Sequence, residues 1–471
     1  MKRTTVKKEE KAISEAHLKK GDIITLTATS LDEDGCATAT YQGKRVHAHG
    51  VLPGETARIK VVNVGRYDCH TKLLKLVQAS PERVLSPPCA VSRACDSCPL
   101  IVMKYPAQLR LKQELIKREM GRYPALADVI MREPLASPSP LNYRNSAKLA
   151  VAGTFTSPVI GIYARHSHDV VDIGDCALHH PLINKIVRAV RQGITKGKVP
   201  VYHPKTGNGL LRYLVVRVSE ATNSAMVVFV TAWRSYNEIH HLTKFVTERV
   251  PEITVVAQNI NASTGNVVFG KEDVFLTKQR TITEEIGSIR FAISPRSFFQ
   301  VNTSGANLLY GKVREWAELT GKETVVDLYC GVGGISLFLA DRAKQVHGIE
   351  LVETAVQDAD FNARLNRVSN CEFEAGDAGE LLKELREELE RVDVMVLNPP
   401  RKGCEETVLR NAAALRPGKI IYVSCSPQSL ARDLDILARL GYRTREIQPV
   451  DMFPNTAHIE NVALIVKEKQ E

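Results

Sequence analysis

The order of apolar and polar positions divides this chain into a basic tail and three regions of different pattern. Residues 21 to about 78 carry short β-rich runs, "DIITLTATS", "TATYQGKRVHAHG" and "ETARIKVVNV", cut by Gly, Asp and Pro turn signals with few helical stretches between them. Strands this short and closely spaced predict a small closed barrel of the oligonucleotide-binding kind. The sheet and loops of that fold contact single-stranded nucleic acid, and a plain spacer barrel is the other reading. Downstream, "YPAQLRLKQELIKREM" spaces Leu111 and Leu115 four apart between charges, which predicts a helix, and the Pro-rich "LASPSPLNYR" marks a loop. From about Tyr143 to Ile282, strand-like "RYLVVRV", "AMVVFVTA" and "TVVAQNI" mix with helical "HPLINKIVRAVRQGI" and "NEIHHLTKFVTERV", an α+β pattern.

From about residue 283 the alternation becomes regular: "TVVDLYC", "QVHGIEL", "CEFEAGD", "VDVMVLNPP" and "KIIYVSC" are each followed by a helical stretch, and strands close the chain. Strands apolar on both faces belong to a mostly parallel sheet with helices on both sides. The expected fold is therefore α/β, with a C-terminal doubly wound, Rossmann-like domain over 283–471. A basic tail (1–20), an OB-like β-barrel (21–80) and a central α+β domain (81–282) precede it.

Composition changes this picture in two respects. The 471 residues carry a formal charge of +10, a surface that attracts polyanions without by itself naming nucleic acid as the partner. The lysine-rich opening lacks the apolar stretch of a signal peptide, and no later run is long enough to cross a bilayer. A soluble, cytoplasmic protein with no membrane partner and no evident obligate protein partner is expected. In that compartment the ten cysteines do not read as disulfides. Clustered ones are candidate metal ligands or nucleophiles, and the others small core residues.

In an open parallel sheet, ligands bind outside the carboxyl ends of the strands, near the point where strand order reverses. "DLYCGVGG" stands at such an end: Gly331, Gly333 and Gly334 let the backbone turn and approach a ligand. Glu350, nineteen residues on, can accept both hydroxyls of a ribose. Ser336 occupies the third glycine position of a dinucleotide fingerprint, so the loop alone leaves NAD and S-adenosylmethionine (SAM) both open. "NPP" at Asn398 to Pro400 favours SAM, because methyltransferases place Asn or Asp and prolines there to grip the group being methylated. A turn built by two prolines is the bland reading.

"YVSCSPQ" puts Cys425 at the end of the fifth strand, beside the NPP turn in the usual strand order, where a cysteine either packs or reacts. "FPNTAHIENVALIV" puts Glu460 just before an apolar strand, as a surface carboxylate with no evident structural task. A nucleophile, a carboxylate and a methyl donor suit one reaction. C5 of uracil is too weak a nucleophile to take a methyl group until a thiolate adds to C6, and a base must afterwards remove the C5 proton so that the thiol can leave.

Taken in order, "SFFQVN", "DLYCGVGG", "GIE", "GD", "NPPRKG", "YVSCSP" and "FPNTAHIE" resemble the motifs of the bacterial uracil-5 methyltransferases. Those enzymes act on 23S ribosomal RNA and, in a sister branch, on uridine 54 of transfer RNA. The resemblance runs through nearly the whole chain, including the barrel, which looks like their TRAM domain. It implies Cys425 as nucleophile and Glu460 as base. Gln300, Tyr329, Gly331, Gly333, Gly334, Glu350, Asp377 and Asn398 would be the SAM-side or substrate-side contacts, and Arg401 would support a phosphate or the base. The family usually has Asp where Asn398 stands. N-P-P turns also occur in amine methylases, which would need neither Cys425 nor Glu460.

Cys89, Cys95 and Cys98 have the spacing C-x5-C-x2-C, and Cys176 is the natural fourth ligand. Four thiolates suit tetrahedral zinc or a [4Fe–4S] cluster. Zinc ribbons show two C-x2-C pairs and this chain has one, and the ribosomal branch of the resembling family carries iron–sulfur at this pattern. Iron is therefore the expectation and zinc the runner-up. Radical SAM chemistry would leave one iron open, which Cys176 closes. His179 and His180 are expected to cap or solvate the following helix. Arg144, Lys148, Arg212 and Arg217 are candidates for holding an RNA backbone, or are ordinary surface charges. The competing classes are an NAD-dependent oxidoreductase, which leaves Cys425 and Glu460 idle, and a noncatalytic RNA-binding factor. The favoured partner is RNA, 23S ribosomal RNA ahead of transfer RNA.

Overall fold

The computed structural model describes residues 18–468, except 96, 166 and 266. The basic tail expected over residues 1–20 lies almost entirely outside the described residues. The chain forms two compact units.

The first unit holds residues 18–87, 97–104 and 455–457. Its strands are β1 (Ile23–Thr27), β2 (Ser30–Leu31), β3 (Ala37–Tyr41), β4 (Lys44–His49), β5 (Thr56–Val64) and β6 (Asp68–Gln78). They form one six-stranded sheet in the order β1-β5-β6-β4-β3-β2, and β1 also packs against β3, so the sheet curls back on itself. Successive side chains of a strand face opposite sides. Ile24, Leu26, Ala57, Ile59 and Val61 are thereby buried, while Ile23, Thr25, Arg58 and Lys60 face solvent.

The second unit contains α1 (Ser92–Cys95), α2 (Tyr105–Met120), the two-residue strand β7 (Ile130–Met131) and two larger sheets. The central sheet uses β8 (Ser146–Gly153), β9 (Pro158–Tyr163), β10 (Val170–Asp172), then α3 (Pro181–Gly197), β11 (Leu211–Ser219) and β12 (Ser224–Thr231). It is completed by α4 (Asn237–Arg249), β13 (Ile253–Ile260) and β14 (Glu272–Phe275), in the order β10-β9-β8-β11-β12-β13-β14. His180 caps α3 by accepting the Leu182 N–H, and Pro181 occupies the first turn, where a missing N–H costs nothing.

A hairpin, β15 (Ile282–Ile286) and β16 (Ile289–Ile293), and α5 (Thr303–Ala317) lead into the regular alternation. Its elements are β17 (Thr324–Leu328), α6 (Gly334–Ala340), β18 (Gln345–Glu350), α7 (Glu353–Leu365), β19 (Cys371–Ala375) and α8 (Ala378–Glu388). They continue with β20 (Val394–Leu397), α9 (Glu406–Ala414), β21 (Lys419–Ser424), α10 (Pro427–Arg439), β22 (Tyr442–Val450) and β23 (Glu460–Lys467). The sheet order is β19-β18-β17-β20-β21-β23-β22-β7. It is parallel from β19 to β21, with β23 antiparallel to both β21 and β22. The mixed α/β fold read from the sequence is present. Val394–Leu397 is buried at every position and β17 and β21 nearly so, which is why these strands show no period-two signal.

Within the second unit, Ile116, Met120 and Leu126 share a core with Leu328, Leu397, Tyr422 and Leu434, and β7 pairs with β22. Such long-range burial is invisible to local pattern. The helix expected from the spacing of Leu111 and Leu115 is present as α2. Lys112, Ile116, Glu119 and Met120 face inward, with Lys112 donating to Asp451 at 2.7 Å and to the Phe453 carbonyl at 3.0 Å. Among the described residues, no helix is long and apolar enough to cross a membrane.

Candidate active site

Strand order reverses between β17 and β20: the chain runs outward through β18 and β19 on one side and through β20 and β21 on the other. Leu328 pairs with Ile349 and with Leu397, and Leu397 with Tyr422, so the residues just beyond these pairs converge at one end of the sheet. A cavity of about 1080 Å³ opens there. Gln300, Tyr329, Gly331, Gly334, Glu350, Asp377, Asn398, Cys425 and Glu460 line it.

The glycine loop is held from its own neighbours. Gly331 donates its N–H to Glu350 Oε2 at 3.1 Å, while Glu350 Oε1 accepts from Val352 at 3.0 Å. Gly333 starts α6 from a left-handed conformation at φ +80°, which a side chain would strain; of the expected catalytic and cofactor residues it alone does not line the cavity. Asp377 caps α8, accepting the Gly379 and Glu380 N–H groups through Oδ1 at 2.9 and 3.2 Å. The Asn398 N–H donates to the Leu328 carbonyl at 3.2 Å, tying the NPP turn to the glycine-loop strand. Gln300 reaches the wall from the loop before α5, its carbonyl accepting from Asn145 at 2.9 Å.

Ser424 of β21 is paired with Asn461 of β23 in an antiparallel register. One step further along the same register stand Cys425 and Glu460, so two residues 35 positions apart face one cavity. Glu460 was expected at the surface, but it is only 9 % exposed, because β23 runs inside the sheet between β21 and β22. Burial pushes its carboxyl up to about 7, against the pull of Arg401. Burial and Glu460 likewise raise the Cys425 thiol, and Arg401 opposes them by charge and by hydrogen bond. Arg401 Nη2 lies 3.2 Å from His458 Nε2. One guanidinium thus stands among a thiol, a carboxylate and an imidazole.

Among the lining residues that were not anticipated are His458, Tyr310 and Asp327. Tyr310, buried against the cavity, hydrogen-bonds the Gln300 side chain. Asp327 accepts from Ser336 Oγ at 2.6 Å through Oδ2, has no partner at Oδ1, and is pushed by burial up to about 7. The available signal was an acid inside the otherwise apolar run "TVVDL".

Of the candidate cluster cysteines, Cys89, Cys95 and Cys176 belong to the second unit and Cys98 to the first. Burial raises the Cys176 thiol, and the nearby Cys89 and Cys95 raise it further, so these three thiols are neighbours. Asn184 on α3 pins the Cys176 backbone at both its N–H and its carbonyl, each at 3.1 Å. An all-sulfur donor set fits zinc or iron–sulfur. A second grouping, Asp32, Cys36 and His47 in the first unit, lies within 4.8 Å. Asp32 hydrogen-bonds His47 at 2.8 Å through Oδ2 and accepts the Asp34 and Cys36 N–H groups through Oδ1, which accounts for the arrangement as a locked turn.

Two of the four candidate RNA-backbone cations are not surface charges. Arg212 and Arg217 are each 6 % exposed. Arg212 donates to the carbonyls of Asn261 and Ser263, and Arg217 to that of Ser297 at 2.6 Å, so both hold loops. Burial lowers Arg217 to about 10.

Comparison with known proteins agrees with this geometry. The family described as tRNA (Uracil-5-)-methyltransferase matches residues 230–468. An uncharacterized RNA methyltransferase of Geobacter sulfurreducens is 58% identical over 449 residues, 95% of this chain and 91% of the relative. One of Halalkalibacterium halodurans is 38% identical over 96% of this chain and 98% of its own. Among solved structures, the tRNA (uracil-54, C5)-methyltransferase of Pyrococcus abyssi in complex with S-adenosyl-L-homocysteine matches with a TM-score of 0.77 at 28% identity, covering 94% of this chain and 100% of that one. With its glycine loop and NPP turn on one cavity, the chain belongs to the tRNA (uracil-5-)-methyltransferase family and is a SAM-dependent RNA methyltransferase.

Proposed function

We propose that this enzyme forms 5-methyluridine in RNA by covalent catalysis, with Cys425 as nucleophile and Glu460 as base. The observation that carries the reading is the shared register of β21 and β23, which sets the thiol and the carboxylate on one cavity wall. SAM supplies the methyl group as a sulfonium. The Cys425 thiolate adds to C6 of a uracil turned out of its stack, and the C5=C6 electron pair moves to C5. C5 takes the methyl group, S-adenosylhomocysteine leaves, and the Glu460 carboxylate removes the C5 proton. The electrons of that C–H bond restore C5=C6 and expel the thiolate.

Around these two, Gly331, Gly333 and Gly334 form the turn against SAM. Glu350, with one N–H on each oxygen, keeps lone pairs for ribose hydroxyls. Asp377 and Tyr329 complete the cofactor side, and the unpartnered oxygen of Asp327 suits a cationic group. Gln300 and Asn398 face the base. An amide at 398 both donates and accepts, as the N3–H and O4 edge of uracil requires.

The RNA we favour is 23S ribosomal RNA, with a [4Fe–4S] cluster held by Cys89, Cys95, Cys98 and Cys176 in a structural or RNA-docking role. Transfer RNA uridine 54 is the second reading, favoured by the activity named for the Pyrococcus abyssi structure. Nucleoside mass spectrometry of both RNA fractions, from cells with and without the protein, tests this. Loss of 5-methyluridine from one fraction supports the reading and names the RNA. Unchanged 5-methyluridine with loss of a methylated amine overturns it. Stoichiometric zinc without acid-labile sulfide in anaerobically purified protein would replace iron by zinc.

A further inference from the structure

Behind the NPP turn lies a buried network that the reaction does not use. Asp433, on the second turn of α10, is 0 % exposed. Its Oδ2 accepts the Cys404 N–H at 2.8 Å and the Tyr422 hydroxyl. Its Oδ1 receives Arg432 Nε at 2.8 Å and Nη2 at 2.6 Å, and the same Nη2 donates to the carbonyls of Lys402 and Cys404 at 2.9 and 3.2 Å. The backbone of residues 402–404 is therefore pinned to α10 at both N–H and C=O groups. Only glycine allows so close an approach. Gly403 sits at φ +77°, and a Cβ there would come within 2.5 Å of Asp433 Oδ2 and 2.6 Å of Arg432 Nη2.

The position of this clamp matters because α10 starts two residues after Cys425 and the pinned turn starts one residue after Arg401. Tyr422, which bonds Asp433, is three residues before Cys425 on the nucleophile's own strand. Strand, helix and turn thus form one body whose two outputs are the Cys425 thiol and the Arg401 guanidinium, which act on each other.

We infer that Asp433, with Arg432 and Gly403, is a positioning clamp that fixes where Arg401 stands relative to Cys425, so that the guanidinium stays beside the thiol. This rests on the reading of Cys425 as the nucleophile. A clamp with a purely structural role would change stability and leave the thiol's reactivity alone, so the test reads the thiol.

The experiment measures the pH dependence of Cys425 alkylation by iodoacetamide, followed by peptide mass spectrometry on the full-length protein. Asp433→Asn keeps the shape but releases Arg432. It is expected to slow alkylation at neutral pH about tenfold, because a smaller share of the thiol is then ionised. Arg401→Gln should do the same, and the double variant should be no slower than either single one. If Asp433→Asn does not fold, as judged by circular dichroism, Gly403→Ala strains the same turn from the other side and decides the matter. A wild-type alkylation profile in the folded variant, or losses that multiply in the double variant, overturns the clamp. Methylation by Cys425→Ala separates the two claims. Full activity there removes the nucleophile reading, while non-multiplying Asp433 and Arg401 effects would still stand as evidence for the clamp.

Discussion

Cys425 and Glu460 each stand one residue beyond Ser424 and Asn461, the last pair of the antiparallel β21–β23 ladder, and both line the same cavity, which places the proposed nucleophile and the proposed base on one site. Glu460→Gln keeps the shape and cannot take the C5 proton. Turnover should fall by about 10²–10⁴-fold, and a covalent adduct between enzyme and RNA should accumulate, visible as a band that survives denaturing electrophoresis. Free turnover without adduct would remove Glu460 from the base role.

The protonation state of Glu460 also sets a pH profile. Its carboxyl, held near 7, must be ionised to accept a proton, and the Cys425 thiol is raised as well. Single-turnover methylation is expected to climb as pH rises through about 7 and to keep climbing into the alkaline range. A rate flat from pH 6 to 9 would show that neither group limits the step.

The same burial makes a prediction about stability. A carboxyl raised from 4.5 to about 7 on folding contributes stability that is fully present below 4.5 and is lost as pH rises through 7. Above pH 8 the ionised, buried Glu460 costs about 3 kcal/mol, on the scale of 1.36 kcal/mol per unit. Glu460→Gln should therefore be more stable than wild type at pH 8.5 and differ little at pH 5. Urea midpoints at the two pH values check it, and an equal difference at both would contradict it.

Lys112 and Asp451 are both wholly enclosed, and Asp451 also meets Tyr105. Lys112→Met strands the Asp451 carboxylate in the core and should cost about 3–5 kcal/mol. In Lys112→Met/Asp451→Leu no charge is left to strand, so its loss should be smaller than the single variant's. Denaturant unfolding measures both, and a larger loss in the pair would refute the buried-charge account.

Arg217 offers a contrast with exposed cations. Since it holds the Ser297 carbonyl from inside the unit, Arg217→Ala should lower stability by about 1.5–3 kcal/mol. It should leave the slope of log Kd for RNA against log salt unchanged. A fall in that slope of about 0.7–0.9 would mean a lost phosphate contact and would restore the RNA-backbone role.

The sequence alone determined the elements whose causes are local. The regular return of apolar runs and helices specified a parallel sheet, "CGVGG" marked a turn that needs left-handed glycine, and His180–Pro181 marked the start of α3. Cys425 and Glu460 were legible as candidates because each stands at a strand end in a distinctive run of residues. Tertiary structure decided what depends on partners distant in the chain. It buried Glu460, because β23 inserts between β21 and β22, and turned Arg212 and Arg217 inward. It enclosed Lys112 with a carboxylate 339 residues away and recruited residues 105–131 to the C-terminal sheet. A charged side chain reads as surface in any local pattern, since desolvating it is unfavourable until a specific partner compensates, and only the fold supplies that partner.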